Sequence, residues 1–75
     1  MKITQEQYDN LNEKLESSYE TAMQKKLEMG EQEFKNSYAL GLYTGVITSL
    51  TLLDIEMYTK TSDGCAQIEP SMVVN

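Results

Sequence analysis

The sequence predicts an all-α protein, an antiparallel helical hairpin of two long helices that dimerises into a helix bundle. Three observations carry this. Apolar residues recur at steps of three and four in two long stretches, one on each side of Gly30. The one proline, Pro70, lies beyond both. A chain of 75 residues is also short of core. Below roughly 70–80 residues a single core seldom supplies more than about 3–5 kcal/mol without a disulfide, a metal or a partner subunit. With one cysteine, Cys65, and no histidine, a partner subunit is the expected staple.

The first helix is expected over residues 4–29. Thr4 and Gln7 fit a capping box, in which each side chain satisfies an amide that the first turn leaves open, and Ile3 and Tyr8 fit a hydrophobic staple across it. Glu6 and Asp9 lie at the positive end of the helix dipole, Lys25 and Lys26 at the negative end. Tyr8, Leu11, Leu15, Tyr19 and Ala22 form one apolar stripe, edged by Met23. Gly30 then breaks the chain, as a left-handed residue that ends the first helix and leaves Glu31 and Glu33 to open the next. One bent, continuous helix is the competing reading.

The second helix is expected over residues 32–58. Ala39, Leu42, Val46, Leu50, Leu53 and Met57 step by three and four as a coiled-coil seam does, widened by Tyr43 and Ile47. A second face carries Gly41, Gly45 and Ser49 at spacing four, flanked by Phe34, Tyr38 and Leu52. One hairpin partner covers one face only, so Phe34, Tyr38, Gly41, Gly45, Ser49 and Leu52 are the predicted oligomer or partner interface. Asp54 reads as a boundary residue that reaches solvent or pairs with Lys60. The β-branched run Val46-Ile47-Thr48 lowers helix propensity, but the spacing decides for helix over strand. The hairpin thus fills residues 1–60. Residues 61–75 lack periodicity; Thr61-Ser62-Asp63-Gly64 is turn chemistry, Pro70 stops a helix, and the expectation is a loop or partly disordered tail that can be deleted without loss of fold.

Composition narrows function. Twelve Asp and Glu stand against six lysines, a formal charge of -6, and there is no arginine. Such a surface argues against direct nucleic-acid binding, which draws on neutralised phosphates. Without histidine there is no Ser-His or Cys-His pair and no His-ligated zinc. The glycines make no phosphate-binding loop. The expectation is no enzyme, no cofactor and no metal. The start, Met1-Lys2-Ile3-Thr4-Gln5-Glu6, is unlike a secretory signal, and with one thiol the cytoplasm is the expected compartment. Residues 36–53 hold no charge but carry threonines, serines and glycines, and no lysine cluster flanks them, so a membrane role is the lesser alternative.

Glu6, Asp9, Glu13, Glu16 and Glu20 project within about 80° of one another on a helical wheel. A stability-only sequence would interleave lysines there, since like charges four apart repel. The strip is either a solvated face or a surface that meets a basic groove on another protein, such as a nucleic-acid-binding enzyme.

The run Phe34-x3-Tyr38-x2-Gly41-x3-Gly45-Val46-x2-Ser49-Leu50-x2-Leu53 resembles helices in small proteins of bacteriophages and mobile elements, of host-inhibitor type. The resemblance covers about a quarter of the chain. It implies a setting, the host cytoplasm, in which short acidic proteins block host enzymes or defence systems; it carries over no ligand or catalytic residue. The expected function is therefore an acidic protein-binding protein that inhibits a host protein by steric and electrostatic blocking. The alternative is a structural or assembly subunit working through the second face of helix two.

Overall fold

A computed structural model describes residues 2–59 and 64–74. Its elements are α1 (Gln5–Glu28), α2 (Glu31–Lys35), α3 (Tyr38–Leu52), β1 (Met57–Thr59), β2 (Ala66–Ile68) and a 3-10 turn (Pro70–Met72). The protein is mostly helical but not all-α: β1 and β2 pair antiparallel, Met57 opposite Ile68, Tyr58 opposite Gln67 and Thr59 opposite Ala66.

α1 starts where its local chemistry says it should. Gln7 N–H donates to Thr4 Oγ1 at 3.1 Å, and Thr4 N–H donates to Gln7 Oε1 at 2.9 Å, closing the capping box. Ile3 is buried in the main core and Tyr8 packs against the same cluster. At the other end Gly30 does break the helix, but by a different geometry from the one expected. Its φ is -68° and its ψ 159°, an extended residue that opens α2, and Met29 is the extended cap of α1. No left-handed glycine is used there.

The continuous second helix expected over 32–58 is replaced by α2, α3 and β1. Asn36 and Ser37 interrupt it, and Ser37 Oγ accepts from Leu40 N–H at 3.2 Å as the N-cap of α3. The far end closes six residues early. Ile55 N–H bonds Leu50 O and Asp54 N–H bonds Thr51 O, both at 3.0 Å. This is the Schellman pattern, and its usual apolar contact is present because Leu50 and Ile55 share a core cluster. Asp54 occupies the left-handed position, with φ 59°, so it is a helix-ending residue and not a member of the helix edge. Lys60, its suggested partner, lies outside the described residues. An L-residue there costs about 1–2 kcal/mol, less for Asp than for most. Asp54→Gly is therefore expected to stabilise the fold by about 0.5–1 kcal/mol, net of the greater freedom of glycine in the unfolded chain. An upward shift of the urea midpoint checks it; a downward shift would mean that the Asp54 side chain contributes more than its backbone strain takes away.

α3 returns along α1 in antiparallel order. Ala22 clusters with Ala39, Tyr19 meets Tyr43 edge-on with ring centroids 5.2 Å apart, and Leu15 shares the main cluster with Leu50. Between the arms at one end sits Phe34, buried with Ala22 and Ala39 under the ammonium of Lys26, which lies 5.8 Å from the ring centroid.

Residues 64–74 do not form the loop or partly disordered tail expected: they hold β2 and the 3-10 turn. Cys65, Ala66, Gln67, Ile68 and Met72 are all buried, and Ile68, with Leu15, is the largest side chain with essentially no exposure. Gly64 has φ 81°, which strains any L side chain and favours glycine, and a Cβ there would also stand 3.1 Å from Tyr19 Oη, a close contact that the tyrosine would have to ease. Residues 61–63, where the sequence places turn chemistry, lie outside the described residues. A two-stranded sheet leaves amides open along its outer edge. Ala66 and Ile68, two apart and so on the same edge of β2, are served by helix side chains: Ala66 N–H donates to Tyr43 Oη at 3.0 Å and Ile68 N–H to Asn12 Oδ1 at 2.9 Å. The two ends of the chain also meet. Ile3 N–H donates to Met72 O at 2.9 Å, Val74 N–H donates to Ile3 O at 2.8 Å, and the Lys2 ammonium bonds Ser71 O.

Candidate functional site

α3 carries no charged residue; its inner side packs on α1, and Tyr43 also reaches β2. Because β2 draws Tyr43 inward through its hydroxyl and Ile47 packs on the main core, the buried side of α3 is turned toward Ala39, Tyr43, Ile47 and Leu50. The coiled-coil seam expected along α3 is thereby only half internal. Leu42 and Leu53 are left 46 % and 51 % exposed, and Met57 belongs to β1.

What faces out is an apolar helix side. Tyr38, Leu42, Gly45, Ser49, Leu52 and Leu53 fall within about 100° on a wheel of 3.6 residues per turn. Tyr38 is 81 % exposed and Leu52 79 %. Gly41 and Gly45 are open, with no heavy atom within 4 Å of where a Cβ would stand. Polarity beside this face is also muted: Thr44 Oγ1 and Thr51 Oγ1 donate to the carbonyls of Leu40 and Ile47, four residues back, at 3.0 and 2.9 Å. Of the interface residues expected from sequence, Tyr38, Gly41, Gly45, Ser49 and Leu52 stand together on this exposed side. Phe34 does not. It is 7 % exposed and belongs to the core, because the break at Asn36–Ser37 turns α2 away from the line of α3 and folds its one aromatic inward.

Alongside, α1 and α3 leave an apolar groove of about 520 Å³ whose walls include Thr21, Lys25, Met29, Tyr38, Ala39 and Leu42. A second hollow further along joins Leu11 and Lys14 of α1 to Leu42, Gly45, Ser49 and Leu53. Leu42 borders both, so the groove and the exposed α3 face form one surface.

The acidic strip is a separate surface. Glu6, Asp9, Glu13, Glu16 and Glu20 are all exposed. Its later part borders the tail: Gln67 Nε2 donates to Glu16 Oε1 at 3.4 Å, and Glu16, Tyr19, Glu20 and Cys65 line one shallow hollow. Leu27 lies on the same side of α1 beyond Glu20 and is 87 % exposed. This apolar residue is absent from the sequence-based site, although its place on the wheel was readable.

Among the described residues, no group of His, Cys, Asp or Glu is placed to hold a metal ion. No helix among them is long and apolar enough to cross a membrane. No protein-family model, curated protein or solved structure matches this chain.

Proposed function

We propose that this chain acts by binding proteins and catalyses no reaction, and that the outer side of α3 is its principal contact surface, as in a small assembly or adaptor subunit. The observation that carries the reading is the exposure of Tyr38 and Leu52 at the two ends of a helix without a single charge. Large apolar residues that remain exposed together on a small protein mark interaction surfaces. Aromatic anchors next to small residues also suit close docking.

A second reading is favoured by Leu27. An exposed leucine at the end of a row of carboxylates gives the α1 strip an apolar anchor, which suits a basic protein better than a solvated face does. In this reading the protein blocks a basic target, in keeping with the host-inhibitor setting that the phage resemblance implies. A nucleic-acid-binding enzyme is one such target.

Paired variants separate the two. Leu52→Asp and the paired reversal Glu13→Lys, Glu20→Lys change exposed positions, with Glu16 spared because it accepts from Gln67; each should alter stability by no more than about 1 kcal/mol. Captured proteins from a bacterial lysate are compared with the wild-type set by mass spectrometry. Loss of the bound set with Leu52→Asp, and its retention with the reversal, is the expected result. The opposite pattern would transfer the function to the acidic strip, whose binding should also weaken as salt rises.

A further inference from the structure

We propose that the occupant of the exposed α3 face is a second copy of this chain, docked antiparallel with Gly45 on the twofold axis. The inference rests on the reading of α3 as a contact surface and goes on to name the partner, its direction and its register.

Residue size along the face is the first argument. Gly41 and Ser49 lie four residues to either side of Gly45, and Tyr38 and Leu52 lie seven to either side. Antiparallel α3 helices centred on Gly45 therefore set Gly41 against Ser49 and Tyr38 against Leu52, twice over. Two crossing helices are closest at the centre and diverge toward their ends. Gly41, Gly45 and Ser49 let the two backbones approach at the middle, with Leu42 to one side of the line they form, and Tyr38 and Leu52 fill the ends. A C2 interface must be self-complementary in this way.

Charge is the second. Each copy carries a formal charge of -6, so most approaches between two copies place like charges together. α3 holds no Asp, Glu or Lys, and it lets two acidic chains touch without burying a carboxylate. The α1 strips remain outside such a contact, one on each copy.

Area is the third. Tyr38, Leu42, Leu52 and Leu53 are 81 %, 46 %, 79 % and 51 % exposed. At roughly 200 Å² for a fully exposed large side chain, covering them removes about 500 Å² per copy. The total, on the order of 1,000 Å², reaches the lower bound for a specific interface. A weak, reversible dimer is the consequence.

Sedimentation equilibrium of the full chain, at about 50 and 500 mM salt, is the test. The expected result is a monomer–dimer equilibrium that tightens several-fold at the higher salt, because screening removes repulsion between like-charged copies. Leu52→Asp should shift the equilibrium to monomer with the helical circular dichroism unchanged. Register is read by mild oxidation of single-cysteine additions, with the wild-type chain and its buried Cys65 as the blank. Gly45→Cys should cross-link to its own copy. Leu52→Cys should not, since antiparallel pairing holds the two copies of that position about 21 Å apart along the helices. A wild-type chain that stays monomeric to millimolar concentration overturns the self-docking proposal alone and leaves α3 as a face for a different protein. A dimer that Leu52→Asp does not weaken uses another surface and overturns the self-docking proposal; the contact-surface reading falls only if Leu52→Asp also leaves the captured set unchanged. A dimer that loosens as salt rises is a charge-driven contact and overturns it as well. Cross-linking of Leu52→Cys means parallel pairing and overturns the register.

Discussion

Ending the chain after residue 63 is expected to unfold it. The lost segment contains Ile68 at 0 % exposure and Met72 at 6 %, both members of the main cluster with Leu15, Leu50 and Ile55. Burial of one such side chain contributes about 1.5–3 kcal/mol. Two of them therefore account for about as much as the 3–5 kcal/mol that a domain of this size usually has in total. The truncation also strips the partners of Tyr43 and Asn12 and opens the contact with Ile3. Far-ultraviolet circular dichroism should show lost helix and no cooperative melt. A truncated chain that still melts sharply near the wild-type temperature would mean that α1 and α3 hold together without β2.

Leu15→Ala is expected to cost about 2–5 kcal/mol, the range for emptying a buried leucine site. Leu15 has 0 % exposure and stands where α1 faces both α3 and the tail, with its carbonyl 3.9 Å from Cys65 Sγ. Collapse around the gap would have to come from two directions at once. For a domain of this length, each 1 kcal/mol shifts Tm by about 4–8 °C, so a fall of at least about 8 °C should be seen. Leu27→Ala is the contrast: at 87 % exposure the same chemical change should move Tm by no more than a few degrees. Equal effects at the two positions would show that the packing around Leu15 is not the centre of stability.

Much of α1 was legible because its signals are local. A capping box spans four residues, and the stripe from Tyr8 to Ala22 needs only the helical period. The acidic strip was legible for the same reason, as was the uncharged length of α3. Signals of the same short range explain what could have been read and was not. Ser37 is a good N-cap residue directly before α3, and Leu27 shares a helix side with the carboxylates. The early end of α3 was harder, because a left-handed Asp54 stands where glycine would have announced the stop.

By itself the sequence determined that helices dominate, where α1 begins, that Gly30 divides the chain, and which helix sides hold charge. Only the tertiary structure decided the role of residues 64–74, the inward turn of Phe34 and the rotation that leaves Leu42 and Leu53 at the surface. Phe34 turns in through the break at Asn36–Ser37 and its packing on Ala22 and Ala39; the other two depend on β2. Its three residues, Ala66–Ile68, are too few to show a period, and the bond that seats them on α1 joins positions 56 apart in the chain. Burial of that kind is a sum over residues distant in sequence, and no local pattern of apolar and polar residues records it.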